Sequence, residues 1–534
     1  MNIINGEELK VDLSVPVWKY VYEKAWIYGE RIAQVDAESG RSLTFRQLVE
    51  LSQRVSRCLL RLGVRRGDVV AVCSENNLEF CSVLLGALEA GAACMLIHPL
   101  YTPREFIHAM GISKPKIVLC SASVAKSQPE EVFTENDHVK AVLVWGCTPA
   151  ILPAAYRKLE DILATDELLV TESHGETELH LNGHQSETKN IALILSSSGS
   201  TGLPKGVMLT HSNIIVALAN SAMYTSEKNI TLGLMPFSHA YGLLLVLMCL
   251  CEGSKVIIVG KFTVDSFISN IQTYQINCLY LVPSLLVLLS KRKAIPSEDF
   301  KNIHHVWTGA APVSPKVQQL IHEQLAPFGK LHHSYGLTET TFIMFTAPYQ
   351  INKAGSAGQL TPGMQCKVID INSGEALGPN AKGELCFRGP SIMKGYMGNS
   401  DATKETIDNE GWLHSGDLGY YDSDHYFFIV DRLKELIKYQ GHQVSPSELE
   451  AILLTHSAIQ EAAVIGIPNE MYGELPQAHV IKDPATNITA DEIQKFIAGK
   501  VAPHKRLYGG VKFVDTIPKT PSGKIQRREL KQRV

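Results

Sequence analysis

Apolar runs typical of buried β-strands alternate with helical patterns between residues 44 and 282, and this alternation constrains the fold most strongly. A helix is predicted to begin after Thr44 as N-cap and to end at Gly63. Further helices are predicted around residues 84–88 and over 262–274, among strands predicted at 68–73, 92–97, 117–120, 141–145, 191–195, 256–259 and 278–282. Such βαβ alternation predicts parallel sheets covered by helices on both faces, with ligands beyond the carboxyl ends of the strands.

The pattern changes near Gly358, where short strand-like segments separated by turns predict a small antiparallel unit. A charged stretch at residues 431–434 then precedes a region of mixed helix and strand pattern. At 534 residues, the chain is too long for one ordinary hydrophobic core. We therefore expect an α/β protein with a large N-terminal domain (residues 1–431) of doubly wound sheets plus a small β-barrel-like unit. A hinge near residues 431–434 and a small mobile α+β domain (residues 435–534) complete the expected organisation.

Composition excludes several classes of function. The net charge of −4 gives no general attraction to nucleic acid or to anionic membranes. The 11 cysteines lie mostly in apolar runs without a CxxC pair, so we expect reduced core thiols instead of disulfides or a zinc cage. The longest clean apolar run, residues 243–251, is shorter than the roughly 20 residues that a membrane-spanning helix needs. An acidic N-terminal stretch without a cationic start and a C-terminus without an S-K-L address favour a cytoplasmic location.

The loop SSSGSTGLPKGV, residues 196–207, follows the strand predicted at 191–195. Glycines allow backbone N–H groups to approach an anion closely, while hydroxyls and one lysine add donors and charge. Lys205 follows a proline, so the loop is not a Walker P-loop of nucleotide kinases and GTPases. A flexible surface linker is the alternative, but the strand ahead and the Leu-Pro-Lys-Gly ending favour phosphate binding.

Four other windows combine acids, bases, hydroxyls and glycines: SYGLTET at 334–340, GWLHSGDL at 411–418, YFFIVDRLK at 426–434 and IPKTPSGKI at 517–525. Each alone could be a turn or a solvated charge. In this order, they resemble the adenylate-forming superfamily of acyl-CoA synthetases, 4-coumarate–CoA ligases, beetle luciferases and peptide-synthetase adenylation domains. The resemblance covers residues 43–528, nearly the whole chain.

The resemblance implies a two-step reaction. A carboxylate attacks the α-phosphorus of ATP and releases pyrophosphate, and in the ligases a thiol of coenzyme A (CoA) then displaces AMP from the acyl-adenylate. The attacking carboxylate, with a pKa of about 4, is already ionised, so positioning and charge neutralisation replace a general base. The absence of a Ser-His-Asp arrangement is therefore expected.

Motif matching assigns the ATP site. The loop is expected to hold the β- and γ-phosphates through Ser197, Ser198, Gly199, Ser200, Thr201, Gly202 and Lys205. Thr338 and Glu339 match the phosphate and Mg²⁺ positions, and one carboxylate with phosphate and water oxygens suits that ion. Asp417 and Arg432 match the residues that bind the ribose, although alone they could be a turn aspartate and a surface ion pair. The adenine wall matches Gly309, Ala310, Ala311, Pro312, Tyr335 and Gly336.

His239 and Lys524 match the residues that bind the reacting groups. A lone histidine is more often a core residue, but the Pro-Phe-Ser-His context at 236–239 matches the family histidine that steers the substrate carboxylate. Lys524 matches the lysine whose charge bridges that carboxylate and the α-phosphate. The acyl pocket is expected to contain His239, Tyr241, Gly242, Trp307, Gly336 and Phe342.

The C-terminal region matches a second set of family positions. Lys434 corresponds to the hinge about which the small domain rotates, and Lys438, Gly441 and Gln443 correspond to the channel for the CoA thiol. The chain reads Lys-Tyr-Gln-Gly-His-Gln at 438–443, where ligases usually have Lys-Tyr-Lys-Gly-Phe/Tyr-Gln. Gln440 and His442 thus replace a charge and an apolar ring.

The pocket residues favour a monocarboxylic acid with an apolar fatty or aromatic tail, because they offer no partner for a second charge. Ala240 stands near the aspartate that peptide synthetases use for an α-ammonium group, and Ala217 stands where luciferases carry an arginine. An AMP-forming acyl-CoA ligase using ATP, Mg²⁺ and CoA is the preferred interpretation. A luciferase-like monooxygenase and a non-catalytic nucleotide-binding relative are the alternatives.

Overall fold

The computed structural model describes residues 2–134, 136–146, 153, 156–169, 189–197, 204–283, 285–286, 301–309, 329–347, 353, 355–440, 442–520 and 524–532. The helices in these ranges are α1 (Val17–Trp26), α2 (Phe45–Arg61), α3 (Phe80–Glu89), α4 (Pro103–Ser113), α5 (Ala122–Ser127), α6 (Glu131–Thr134), α7 (Leu159–Leu169), α8 (His211–Ala219), α9 (Ala240–Cys251), α10 (Val264–Tyr274), α11 (Ser400–Thr406), α12 (Pro446–Leu453), α13 (Ala490–Ala498) and α14 (Arg527–Gln532). Short 3₁₀ turns occupy Ser221–Met223, Thr338–Thr340, Leu433–Glu435 and Pro503–Lys505.

The strands of the first half are β1 (Ile3–Asn5), β2 (Ile32–Asp36), β3 (Ser42–Thr44), β4 (Val69–Cys73), β5 (Ala93–Ile97), β6 (Ile117–Ser121), β7 (Ala141–Trp145), β8 (Tyr156–Lys158), β9 (Ile191–Ser197), β10 (Lys205–Thr210), β11 (Ile230–Gly233), β12 (Lys255–Ile258) and β13 (Cys278–Leu281). Those of the second half are β14 (His305–Thr308), β15 (Lys330–Gly336), β16 (Ile343–Thr346), β17 (Gln359–Leu360), β18 (Gln365–Ile369), β19 (Gly383–Arg388), β20 (Gly395–Tyr396), β21 (Leu413–Tyr421), β22 (Phe427–Arg432), β23 (Ile437–Tyr439), β24 (His442–Val444), β25 (Ile459–Asn469), β26 (Gly473–Lys482) and β27 (Val511–Phe513).

Two large sheets form the N-terminal region. One has the order β20-β10-β9-β5-β4-β6-β7-β8, and the other has the order β17-β16-β15-β14-β13-β11-β12-β2-β3. Pairing is parallel from β9 to β8 and from β15 to β2, with antiparallel strands at the edges. The predicted α/β class with doubly wound sheets is confirmed.

Local sequence explains why helix α2 begins where it does. Thr44 accepts a hydrogen bond from the backbone N–H of Gln47, and the Gln47 side chain returns one to the N–H of Thr44. This capping box starts α2 at the predicted position, and its apolar side packs with α3 into the large buried core. The apolar run at 243–251 is likewise buried, within α9. No helix in the described ranges is long and apolar enough to cross a membrane.

Two smaller sheets complete the fold. An antiparallel sheet with the order β1-β18-β19-β21-β22 corresponds to the small antiparallel unit predicted beyond Gly358. A second sheet, β24-β23-β26-β25 with β27 beside β26, contains only strands that follow residue 436. Its strands have their own apolar core with α12 and α13, centred on Val444, Leu449 and Val464. The small C-terminal unit therefore has a core of its own, while the boundary at 431–434 stays a prediction.

Candidate active site

The candidate site lies at the carboxyl ends of adjacent parallel strands of the nine-stranded sheet. The order β11, β13, β14, β15 places the segments that follow these strands along one edge. His239 lies beyond β11, Gly309 directly follows β14, and Thr338 and Glu339 lie in the turn after β15. That turn also contacts β9, the strand that leads into the glycine-rich loop. The edge expected to bind ligands in such sheets thus collects the predicted residues.

The glycine-rich loop joins two antiparallel strands. Ser197 ends β9 and is paired with Lys205, which begins β10. Ser198, Gly199, Ser200, Thr201 and Gly202 lie outside the described residues, so their predicted phosphate contacts stay predictions. At the described end of the loop, the Lys205 ammonium lies 4.6 Å from the centre of the Tyr396 ring. The ring therefore holds this cation in place through a cation–π contact.

Tyr396 also contacts the predicted magnesium residue. Its hydroxyl donates a hydrogen bond of 2.9 Å to Oε1 of Glu339. Glu339 is half-buried, and its second carboxylate oxygen makes no hydrogen bond to the described part of the chain. One oriented carboxylate with a free oxygen fits Mg²⁺, whose other ligands would be phosphate and water oxygens. The sequence analysis missed Tyr396, which lies on edge strand β20, because only the pairing of β20 with β10 brings it to the loop.

Asp417 and Arg432 form a buried pair across two strands. They are direct partners in the antiparallel pairing of β21 and β22, and Arg432 Nε lies 3.0 Å from Oδ1 of Asp417. Tyr335 Oη donates a hydrogen bond of 2.6 Å to Oδ2 of the same carboxylate. Burial raises the pKa of Asp417, and Arg432 and Tyr335 oppose that rise. The structure therefore unites three predicted nucleotide-binding residues around one buried carboxylate.

Two contacts fix Tyr335, one at its ring and one at its hydroxyl. Its ring stacks on Phe345, with ring centres 5.5 Å apart, and its hydroxyl is fixed by Asp417. Gly336 follows at a close approach of two strands, because a Cβ atom there would lie 1.9 Å from the carbonyl oxygen of Phe342. Of the other predicted adenine-wall residues, Gly309 follows β14, whereas Ala310, Ala311 and Pro312 lie outside the described residues.

The charges of Asp417 and Arg432 act on the side chain of Lys524. The Lys524 backbone forms two hydrogen bonds with Thr520. Burial, followed by the positive charge of Arg432, lowers the pKa of the Lys524 ammonium to about 8, while Glu435 and Asp417 act in the opposite direction. A cation from the C-terminal region therefore interacts with the charges of the predicted ribose-binding residues Asp417 and Arg432.

Arg527 fixes the segment that carries Lys524. Its guanidinium donates a hydrogen bond of 2.5 Å to Glu435 and two hydrogen bonds to Glu450, at 2.8 and 2.7 Å. All three side chains are mostly buried, so these bonds form in a region with little water. The sequence analysis missed this network because the carboxylates lie 92 and 77 residues from Arg527.

The surroundings of His239 favour the neutral form of its ring and one of its two tautomers. It precedes α9, and the backbone N–H of Tyr241 donates to its Nδ1 at 3.2 Å. Burial, with the nearby His98 as a smaller cause, lowers the pKa of His239 to about 4. With Nδ1 as acceptor, the proton of the neutral imidazole lies on Nε2, where it can donate to a carboxylate. His98 directly follows β5, an edge position that the sequence analysis did not use.

The predicted acyl-pocket residues differ in the groups that they contact. Tyr241 stacks on Phe342 with ring centres 6.1 Å apart, and Trp307 stacks on His332 at 4.2 Å. Gly242 has a packing reason, because a Cβ atom there would lie 2.3 Å from the carbonyl oxygen of Pro236. A small pocket adjoins Phe342 and is lined by Ala217, Asn220, Tyr224, Thr340, Phe342, Ile343, Thr361 and Ser391.

Two of the predicted thiol-channel residues, Lys438 and Gln443, are exposed. Lys438 and Gln443 face each other across the β23–β24 hairpin, and both side chains are exposed. Gly441 lies outside the described residues, so its predicted role stays a prediction. Gln440 has a positive φ of 48°, and His442 stacks on His504 at 4.4 Å. The two positions at which the chain departs from the ligase pattern therefore have local conformational and packing roles.

Comparisons with known proteins agree with this geometry. The family described as "AMP-binding enzyme" matches residues 22–397, and the "AMP-binding enzyme C-terminal domain" matches residues 448–524. A luciferin 4-monooxygenase from Nipponoluciola cruciata is 37% identical over 511 residues, which cover 94% of this chain and 91% of that protein. The 4-coumarate–CoA ligase 3 of Oryza sativa subsp. japonica is 35% identical over 540 residues, covering 99% and 94%.

A solved structure has the same fold as this chain. The crystal structure of ATP-bound MatB from Rhodopseudomonas palustris superposes with a TM-score of 0.84 at 24% identity, covering 96% of this chain and 98% of that one. The extent of the family match and the identity to these relatives establish the family that the motifs predicted. The chain belongs to the adenylate-forming superfamily of AMP-binding enzymes, which includes the AMP-forming acid–thiol ligases that use ATP and coenzyme A.

Proposed function

We propose that the protein is an AMP-forming ligase that joins an apolar monocarboxylic acid, fatty or aromatic, to CoA. The observation that carries the proposal is the buried Asp417–Arg432 ion pair, which shares its carboxylate with Tyr335 and whose charges act on the Lys524 ammonium. In the proposed reaction, Asp417 and Arg432 bind the ribose hydroxyls of ATP, and Lys524 stabilises negative charge as the acid attacks the α-phosphorus.

His239 is proposed to orient the acid. Its Nε2–H donates to one oxygen of the substrate carboxylate, and the low pKa keeps the ring neutral at physiological pH. A neutral donor leaves the carboxylate charged and nucleophilic, because it takes part in no ion pair with the histidine. Phosphate charge is proposed to be met by Lys205, the loop residues 197–202, Thr338 and Glu339, with Mg²⁺ at Glu339.

CoA is proposed to react in a second arrangement of the C-terminal unit. Lys438 and Gln443 are exposed on a hairpin, while the charges of Asp417 and Arg432 act on Lys524. A rotation near Lys434 is proposed to exchange these surfaces and to bring Lys438, Gly441 and Gln443 to the thiol. A cytoplasmic location remains a prediction from the sequence.

The luciferase-like alternative is less well supported. Ala217, which stands where luciferases carry an arginine, lines the same pocket as Phe342. An arginine would bring a charge into this pocket, whereas alanine adds only a methyl group, so the chain lacks the cation of the luciferase pattern at this position. The 4-coumarate–CoA ligases among the relatives make aromatic acids the first class to test.

The deciding experiment incubates the purified protein with ATP, Mg²⁺ and a panel of hydroxycinnamic, benzoic and medium-chain fatty acids. We expect sustained AMP release only when CoA is added, with one thioester formed per AMP. Light emission or oxygen uptake with an equivalent yield of AMP in the absence of CoA would support the monooxygenase. Absence of both AMP and bound adenylate across the panel would contradict a catalytic role.

A further inference from the structure

A cluster of a cysteine, a histidine and carboxylates lies on the small antiparallel sheet, apart from the residues assigned to ATP. Glu384 and Cys386 are two residues apart on β19, and His414 is the direct partner of Cys386 on β21. Side chains at these positions share one face of a sheet. Sγ of Cys386, one ring nitrogen of His414 and one oxygen of Glu384 lie within 4.8 Å of one another.

The separations match the edges of a metal-coordination tetrahedron. Cys386 Sγ lies 3.6 Å from His414 Nδ1, and the same nitrogen lies 3.0 Å from Glu384 Oε2. Zinc ligands at about 2.3 Å for sulfur and about 2.0 Å for nitrogen or oxygen would be separated by about 3.5 and 3.3 Å at tetrahedral angles. The third separation, between Sγ and the Glu384 oxygen, is within 4.8 Å, so the three atoms can coordinate one ion after side-chain adjustment.

Neighbouring groups orient the ligands. Asp408 Oδ2 lies 3.6 Å from His414 Nε2, on the side of the ring that faces away from Cys386 and Glu384. Asp408 is itself fixed by the backbone N–H groups of Glu410 and Trp412. A carboxylate in this position favours the proton on Nε2 and leaves the Nδ1 lone pair available to a metal. Oε1 of Glu384 accepts the N–H of Gly416, so Oε2 is the oxygen directed to the cluster.

Burial and charge also suit a divalent cation. Cys386 is fully buried, the Glu384 side chain is 14% exposed and that of His414 is 30% exposed. One side of the cluster is therefore open to water, which could supply a fourth ligand. A Cys386 thiolate and the Glu384 carboxylate would neutralise a 2+ ion, and binding would displace the thiol proton and the proton that His414 Nδ1 donates to Glu384.

We propose that Glu384, Cys386 and His414 form a binding site for a thiophilic divalent cation, Zn²⁺ foremost, with Asp408 as the residue that positions His414. The proposal departs from the expectation from sequence that the cysteines form no zinc site. Cysteine spacing could not reveal it, because the ligands meet across two strands 28 residues apart. The proposal does not depend on the identity of the acid or on ligase activity.

The test uses the full-length protein without ATP, stripped with a chelator, dialysed and then loaded with Zn²⁺. We expect one zinc per chain after gel filtration, and a higher melting temperature in the presence of zinc. Co²⁺ in place of Zn²⁺ is expected to give thiolate-to-cobalt absorption. Cys386→Ser should abolish this absorption, and His414→Gln should remove stoichiometric binding. Asp408→Asn should weaken binding by about 10- to 100-fold.

Cys366→Ser is the matched control. Cys366 is buried on neighbouring strand β18, but it pairs with Phe387 and so faces the opposite side of the sheet from Cys386. The control should bind zinc as the unmodified protein does. A cluster that is only a protonated His414 between two carboxylates would bind no zinc. That result would overturn the proposal, and so would equal zinc binding by the unmodified protein and the folded Cys386→Ser and His414→Gln variants.

Discussion

Lys524 combines a positive charge with surroundings that disfavour it. Because burial and Arg432 lower its pKa to about 8, the ammonium begins to lose its proton near that pH in the free enzyme. We predict that kcat/KM for adenylation falls as the pH rises above about 8, since this parameter reports ionisations of free enzyme. Lys524→Arg should move the fall to higher pH, because a guanidinium stays protonated. The measurement is ATP–pyrophosphate exchange against pH.

Removal of the charge gives the complementary test at the same residue. Lys524→Ala is expected to slow adenylation by about 10²- to 10³-fold, the usual cost of losing one transition-state donor. Thioester formation from a supplied acyl-adenylate and CoA should be nearly unchanged, because pyrophosphate does not leave in that step. Equal losses in both half-reactions would show that Lys524 supports the fold and not the adenylation step.

Tyr396 acts through Glu339 and Lys205, so its two contacts can be separated. Tyr396→Phe removes the hydrogen bond to Glu339 and keeps the ring beside the Lys205 ammonium. We expect about a tenfold rise in the Mg²⁺ concentration needed for half-maximal adenylation, as a lost bond to a charged group costs about 1.5 kcal/mol. Tyr396→Leu, which also removes the aromatic face, should in addition raise the KM for ATP. Identical effects of both variants would argue against separate contacts.

The junction between β22 and the C-terminal unit contains hydrogen bonds that Asp431 accepts at the start of α12, and a 3₁₀ turn. Asp431, at the end of β22, accepts hydrogen bonds from the Ser445 hydroxyl and from the Ser447 backbone N–H at the start of α12. Lys434 lies between these groups and is the exposed residue of the 3₁₀ turn Leu433–Glu435. A rotation here must change the φ and ψ angles of the turn and break the Asp431 contacts.

We therefore predict that Lys434→Pro favours the observed arrangement. Proline fixes φ near −65° and also restricts the preceding Leu433, so it limits the angles through which this turn can rotate. Adenylation should be largely retained, while thioester formation slows by about tenfold or more, equivalent to a barrier about 1.4 kcal/mol higher. Single-turnover measurement of adenylate and thioester separates the steps. Lys434→Ala, which keeps the backbone free, is the control, and equal slowing of both steps in both variants would place the hinge elsewhere.

Elements were predicted from the sequence where local signals decide the structure. The Thr44 capping box and the apolar periodicity gave α2, and the apolar runs gave β4 to β7 within a few residues. Motif order located Asp417, Arg432 and Lys524. Contacts between distant segments could not be obtained in this way: Tyr396 meets Glu339 across 57 residues, and Arg527 meets Glu435 across 92. Such pairs depend on sheet order, which a single sequence does not encode locally.

At the scale of the whole molecule, buried neutral histidines couple stability to pH. Burial lowers the pKa of His211, His239, His332 and His333 to about 4 in the folded protein. An unfolded histidine has a pKa near 6.5, so between about pH 4 and 6.5 the unfolded state binds more protons. Stability should therefore be fully retained above pH 6.5, fall as the pH decreases toward 4, and change little further from this source below that.

His211 allows this coupling to be measured away from the proposed chemistry. The Val17 backbone N–H donates to its Nδ1 at 3.2 Å, so protonation removes an acceptor as well as placing a charge in a buried site. His211→Asn keeps an acceptor that cannot become a cation, and we expect it to reduce the loss of unfolding free energy between pH 6.5 and 4 by up to about 3 kcal/mol. Urea unfolding across this pH range is the measurement. His138→Asn is the control, because His138 is exposed, and it should leave the slope unchanged. If both variants lost stability with the same slope as the unmodified protein, His211 would not be a source of the pH dependence.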